Sequence, residues 1–172
     1  MSSFYRPIVY CLSIIGILLS LYAFYVEQNK KRDPNYKAAC DFGSRASCSR
    51  VLTSKYGTGF GIIEGILGKD SVLNQADSVF AILFYLLSII LNMSKNSKII
   101  AKIRVILSLI TNLGSIYLGY ILYFILNDIC VVCGSMYIVN FLLLICNIGL
   151  FIQLNKTQVH LTRQDAIRRK KQ

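Results

Sequence analysis

The sequence predicts an all-α integral membrane protein, a four-transmembrane-helix bundle with a luminal loop or cap between helices 1 and 2. Three observations carry this. Hydrophobic residues make up 55% of the chain and charged ones 16%, with a mean hydropathy of +0.54, far too apolar for a soluble domain. The apolar residues gather into four runs, at about residues 8–26, 76–94, 102–126 and 129–154, each close to the roughly 20 residues a helix needs to cross the hydrocarbon core. The basic residues behind the formal net charge of +11 flank these runs, as at membrane boundaries, and form no stripe with interleaved aromatics. Nucleic acid is therefore excluded as a partner, the lipid bilayer is the implied surroundings, and residues 1–172 read as a single membrane domain.

The first run, Ile8 to Val26, is followed by no small-residue cleavage site, which predicts a retained helix rather than a removed signal peptide. The cap loop, 27–77, opens on the turn signal Asp33-Pro34 and has a glycine-rich middle, Tyr56-Gly57-Thr58-Gly59-Phe60-Gly61, that must bend. Phe60 to Leu67 is apolar but too short to span. It reads equally as an interfacial anchor or as a core patch of the loop itself. The second run leads to a basic turn carrying Lys95, Lys98, Lys102 and Arg104, and the third ends at Asn127-Asp128, a minimal connection with helix-start character. The fourth run gives way to a basic tail, 155–172. No internal repeat is visible.

Four spans place both termini on one side. That side holds eleven Lys and Arg and the cap loop eight, together with six of the eight acids, so the termini are expected in the cytosol. The acceptor patterns Asn92-Met93-Ser94 and Asn155-Lys156-Thr157 then face the cytosol and are expected to carry no glycan. The tail, with Arg169 and Lys170, reads either as a cytosolic retrieval signal for the endoplasmic reticulum or as a basic anchor to anionic lipid.

The chain has six cysteines and one histidine. Cys130 and Cys133, in Cys130-Val131-Val132-Cys133, sit at the mouth of the fourth run. At a helix start they share a face, can close a disulfide, and lie where the helix dipole favours a thiolate. Cys40 and Cys48 are eight apart in the loop, with Gly43 and Ser44 between them, and read either as a structural disulfide or as a mobile dithiol exchanging with the pair at the membrane. All four fall on the non-cytosolic, oxidising face. Cys11 and Cys146 lie inside spans and are expected to be buried and inert. His160 stands alone in the tail, so neither a metal site nor a Cys–His catalytic pair is expected.

Cys40-Asp41, Ser47-Cys48-Ser49-Arg50-Val51, Gly59-Phe60-Gly61, Asp70-Ser71-Val72-Leu73-Asn74-Gln75 and Cys130-Val131-Val132-Cys133 together resemble the animal vitamin K epoxide reductase family, over about Ser20 to Asn140. The combination is specific; the CxxC alone is not. The resemblance implies a multi-pass oxidoreductase of the endoplasmic reticulum membrane with a luminal active site. It would reduce vitamin K epoxide to the quinone and hydroquinone in support of glutamate gamma-carboxylation. Vitamin K would be the substrate, no cofactor would be permanently bound, and the working groups would be redox-active disulfides. By the family pattern Cys133 attacks the substrate, Cys130 resolves it, Cys48 exchanges with Cys130, and Cys40 takes electrons from a luminal thioredoxin-like reductase. Coumarin anticoagulants such as warfarin are the implied inhibitors.

The residues around this constellation fit a quinone pocket. Tyr137 lies one turn after Cys133 and can donate to a substrate oxygen. Phe80 and Phe84 share a helix face and can sandwich a naphthoquinone, and Leu52 and Phe60 can cap it. Asp77 departs from the vertebrate family pattern, which has Asn here. A carboxylate accepts but does not donate, so substrate donation by Asp77 requires its protonated form, which desolvation at the hydrocarbon edge favours; a solvated helix-start carboxylate is the other reading. Two rival classes share the cysteines: a membrane quinone-linked thiol oxidase that generates disulfides in luminal proteins, and a scaffold whose disulfides are structural.

Overall fold

The computed structural model describes residues 4–43, 46–61, 75–94 and 97–170. Over these residues the structure is almost wholly helical: α1 Tyr5–Arg32, α2 Cys48–Leu52, a 3₁₀ turn Gly59–Gly61, α3 Asp77–Met93, α4 Lys98–Tyr120, a π-helical turn Ile121–Leu126 and α5 Val131–Lys170. Three helical segments are long and apolar enough to cross a bilayer; α3, at 17 residues, is shorter but equally apolar. The chain is an all-helical membrane protein.

α1 packs against α3 and α5, and α4 packs against α5. α3 runs antiparallel to α1, since Ser78 bonds Glu27 at one end and Asn92 bonds the Arg6 carbonyl at the other. α4 and α5 are likewise antiparallel: Asn112 bonds the Asn140 carbonyl and Asn147 bonds Ser108. The four long helices thus form an up-and-down bundle.

Small residues let these helices approach. The buried stripe of α1 runs Val9, Ser13, Gly16, Ser20, Ala23, Val26 and Glu27, a helical repeat of mostly small side chains suited to packing in lipid, where hydrophobic transfer provides no drive. The Tyr85 ring fills the space where a Cβ on Gly16 would stand. Its hydroxyl donates to Asn140 Oδ1 at 2.8 Å, and Asn140 Nδ2 donates to Ser115 Oγ at 2.9 Å. This polar belt links α3, α4 and α5 in the middle of the bundle.

Two expectations change. Cys11 is exposed, because it lies off the α1 stripe on the outward face; Cys146 is buried as expected. The fourth helix does not stop near residue 154. No Gly or Pro interrupts 155–170, and α5 continues for 40 residues to Lys170. At 1.5 Å per residue that is about 60 Å, roughly twice the hydrocarbon thickness, so its basic end projects beyond the bilayer. The short apolar stretch 60–67 lies, after Gly61, outside the described residues.

Candidate active site

The CxxC follows a deliberate break in the backbone. The π-helical turn ends at Asn127 in the left-handed conformation (φ 54°), a usual way to stop a helix. The chain then restarts as α5 at Val131, with Cys130 immediately before its first turn. Cys130 and Cys133 form a disulfide with Cα atoms 5.2 Å apart. The Cys133 amide donates to Cys130 Sγ at 3.2 Å. An unsatisfied first-turn N–H is thereby aimed at sulfur, which favours negative charge there once the bond is reduced.

The cap lies over this point. Cys40 and Cys48 are disulfide-bonded, Cα atoms 5.8 Å apart. Asp41 ties the loop around them: Ala38 N–H donates to Oδ2 at 2.8 Å, Ser49 N–H to Oδ1 at 3.0 Å and Ser49 Oγ to Oδ2 at 2.7 Å. Desolvation alone would raise the Asp41 carboxyl; the hydrogen bonds from the Ser49 side chain and backbone and from Ala38 outweigh it and hold the group below its ordinary value. Cys40, Asp41 and Cys48 do bring three potential metal donors together, but the two sulfurs are bonded to each other and Asp41 is committed to the loop. The Ser47 side chain accepts from Arg50 N–H and caps α2. Arg50 Nε then meets Asp128 Oδ2 at 3.3 Å, and Ala46 bridges to Ile129, so the cap is fastened to the segment leading into the CxxC. Cys40, Cys48 and Cys130 are all buried, in one apolar cluster with Ala23, Val26 and Val132.

A second fastening joins the cap to α3. Thr58 bridges to Ala76, Gly59 N–H bonds the Gln75 carbonyl, and Asp77 N–H bonds the Gly57 carbonyl. Phe60 adopts φ 56°, a left-handed conformation that is costly for a bulky residue. Its N–H donates to Asp77 Oδ1 at 2.8 Å. The ring turns inward against Phe80, centroids 5.6 Å apart.

Between cap and bundle is a cavity of about 650 Å³, within the range of small-molecule sites. Leu52, Phe60, Asp77, Phe80, Phe84, Cys133 and Tyr137 all line it. The sequence-derived candidates for substrate contact therefore converge on one space with the Cys133 sulfur, while Cys130, Cys40 and Cys48 stand behind it. A family model of the vitamin K epoxide reductase family matches residues 7–148. The chain belongs to the vitamin K epoxide reductase family. It is 46% identical over 129 residues to vitamin K epoxide reductase complex subunit 1 of Mus musculus, covering 75% of this chain and 80% of that protein. To the protein of the same description from Rattus norvegicus it is 44% identical over 130 residues, with the same coverage. Both disulfides and the whole cavity lie inside the matched region of this reductase-family chain.

Sequence reasoning missed several cavity residues. Glu27 is 1% exposed and lines the cavity beside Ser78, although it sits one residue past the expected end of the first span. The available signal was Glu27 and Lys31 at i and i+4 on a helix, an ion pair seen at 2.7 Å. Tyr56 and Asn140 also line the cavity. Asn140 is a polar residue placed mid-run, a pattern that in a membrane helix points inward.

Proposed function

We propose that this chain reduces vitamin K epoxide to vitamin K quinone and on to the hydroquinone, as an oxidoreductase of the endoplasmic reticulum membrane with four spans, a luminal cap and both termini cytosolic. The observation that carries the reading is Cys133. It belongs to a CxxC disulfide and lines an apolar cavity beneath the cap large enough for a naphthoquinone.

In the reduced enzyme the Cys133 thiolate attacks the substrate, and Cys130 displaces the adduct to form the Cys130–Cys133 disulfide. For the epoxide, two electrons from the dithiol and two protons yield quinone and water; for the quinone, the same count yields hydroquinone. The disulfide is then reopened by Cys48 attacking the Cys130 sulfur and expelling the Cys133 thiolate; in the next step Cys130 leaves as a thiolate, favoured by the Cys133 N–H that points at it. Cys40 closes on Cys48, and a luminal thioredoxin-like reductase resets that pair. The clustering of Cys40, Cys48 and Cys130 supports this order. Phe80 and Phe84, four residues apart on α3, and Phe60 and Leu52 from the cap supply the faces that hold the ring. Tyr137 and Asp77 supply polar contacts to its oxygens. Coumarins, with a similar bicyclic ring and oxygens, fit the same space, and the hydroquinone product supports gamma-carboxylation.

Epoxide turnover by the purified protein with a small dithiol tests the proposal. Quinone and hydroquinone formation lost on Cys133→Ser supports it. Reduction of quinone by substrate-protein thiols, without any action on the epoxide, replaces it with the thiol-oxidase reading.

A further inference from the structure

The proposed reaction places two protons on the substrate for each pair of electrons that the dithiol supplies, so the cavity needs a group that positions protons at the substrate oxygen. Glu27 is a carboxyl buried among apolar side chains at the top of α1 and lines the cavity. One of its oxygens, Oε1, is held by Lys31 Nζ at 2.7 Å, and the Lys31 side chain is half exposed. The other, Oε2, accepts from Ser78 Oγ at 3.2 Å, next in the chain to Asp77. Glu27 and Ser78 both line the cavity. A buried carboxyl joined to solvent on one side and to the substrate cavity on the other is expensive as packing alone.

We propose that Glu27 is a proton-positioning residue of this enzyme, passing protons from luminal water at Lys31 through the Ser78 hydroxyl to the substrate oxygen in the cavity that both residues line. The inference rests on the epoxide and quinone reductase reading above. Proton balance closes as follows. Water at the exposed end protonates Glu27, Glu27 passes the proton to the Ser78 hydroxyl oxygen, and that hydroxyl gives its own proton to the epoxide or quinone oxygen. The two thiol protons are released as the Cys130–Cys133 disulfide forms. No co-reactant beyond the dithiol and water is needed. The titratable and charged groups facing this path are Lys31 on α1, Asp77 on α3, Tyr117 on α4, Tyr137 and Cys133 on α5, and Tyr56 in the cap.

The test is steady-state epoxide and quinone turnover by the full chain with a small dithiol, in H₂O and D₂O and across pH, for the unsubstituted protein, Glu27→Gln, Glu27→Asp and Lys31→Met. Positioned proton transfer contributes on the order of 10²–10⁴-fold in rate. Glu27→Gln keeps the shape and the contact to Ser78, so the expected result is a fall in kcat of about tenfold or more with KM little changed, a larger solvent isotope effect and a changed pH profile of kcat. Glu27→Asp restores part of kcat. Lys31→Met, at the exposed end, removes the cation that holds Glu27 Oε1 and changes the pH profile of kcat. A Glu27→Gln protein with unsubstituted kcat and pH profile overturns the proposal. So does an equal loss in Gln and Asp variants with raised KM and unchanged isotope effect, which marks a purely structural role. Should Glu27→Gln not fold, an unmoved pH profile in Lys31→Met overturns it instead. Absence of epoxide turnover in the unsubstituted chain overturns the underlying function as well, whereas normal turnover with unaffected variants overturns this inference alone.

Discussion

Replacing Asp77 separates its two contacts, one to the cap and one to the cavity. The carboxyl accepts the Phe60 N–H at 2.8 Å and holds Phe60 at φ 56°, which is what turns that ring onto Phe80. Asp77→Leu leaves the Phe60 N–H unpaired, at about 1–3 kcal/mol, and removes the support for a left-handed conformation worth roughly 1–2 kcal/mol. If only about 2 kcal/mol of this weakens the closed cap, substrate affinity falls about thirtyfold. Asp77→Asn keeps an acceptor for Phe60 and turns an NH₂ to the cavity, so it is a donor at every pH. The assay is epoxide turnover and coumarin inhibition across the neutral range, with limited proteolysis of the cap in parallel. Asp77→Asn is expected to keep activity and to lose a decline in substrate and coumarin affinity that the unsubstituted protein shows as pH rises. Asp77→Leu is expected to raise KM at least tenfold and speed cleavage of the cap. A flat unsubstituted profile, with Asp77→Asn unchanged in activity and inhibitor affinity, refutes the donor role. Normal KM and protease resistance in Asp77→Leu refute the tether.

Four further outcomes are expected. Cys133→Ser abolishes turnover with every reductant and Cys130→Ser accumulates a substrate adduct at Cys133, whereas Cys40→Ser and Cys48→Ser lose protein-driven turnover more than turnover with a small dithiol; equal inactivity of all four folded variants with the small dithiol contradicts the relay order. The folded-state Asp41 carboxyl is held below its ordinary value, so its contribution to cap stability is full above about pH 4 and is lost as pH falls through the folded-state value; Asp41→Asn should flatten that acid loss, read by proteolysis of the cap. Gly16→Val drives a side chain into the Tyr85 ring and should destabilise the bundle by about 1–3 kcal/mol, seen as a lower thermal midpoint in detergent. A glycan at Asn155 would reverse the orientation; Asn92 is a poor reporter, being fully buried with its amide bonded to Arg6.

The four helices were legible because apolar runs of spanning length leave few alternatives, and α3 matches its expected limits within a residue. The convergence of Cys133, Tyr137, Asp77, Phe80 and Phe84 was legible in part, because residues one turn apart share a helix face. That Leu52 and Phe60 close the same cavity depended on the family resemblance, since no local pattern says where a loop folds back. What stayed hidden follows from physics that single residues do not show. Glu27 looks like a loop residue, because a lone carboxylate is costly in an apolar setting; only Lys31 and Ser78, one of them 51 positions away, make its burial tolerable. Phe60 gives no hint of a left-handed backbone, since the neighbouring glycines are the residues expected to supply it. Cys11 was misplaced because a helix hydrophobic all round does not reveal its inward face, and the small-residue stripe from Ser13 to Ala23 was the better guide.

The fastening of the cap bears on how a relay through it works. Opening the Cys40–Cys48 disulfide removes a covalent closure of eight residues but leaves the Asp41–Ser49 hydrogen bonds, the Arg50–Asp128 ion pair and the contacts to α3 in place. Cys48 sits two residues before Arg50 on the same short helix, and Asp128 two before Cys130. That ion pair, with the Ala46–Ile129 bridge, therefore holds α2 beside the segment leading into Cys130. Because thiol–disulfide exchange needs attack at one particular sulfur, that fixed approach favours Cys130 over Cys133 as the point of entry. It also keeps the substrate-facing thiol free to react only into the cavity. On this arrangement the cap need not leave the bundle to deliver electrons.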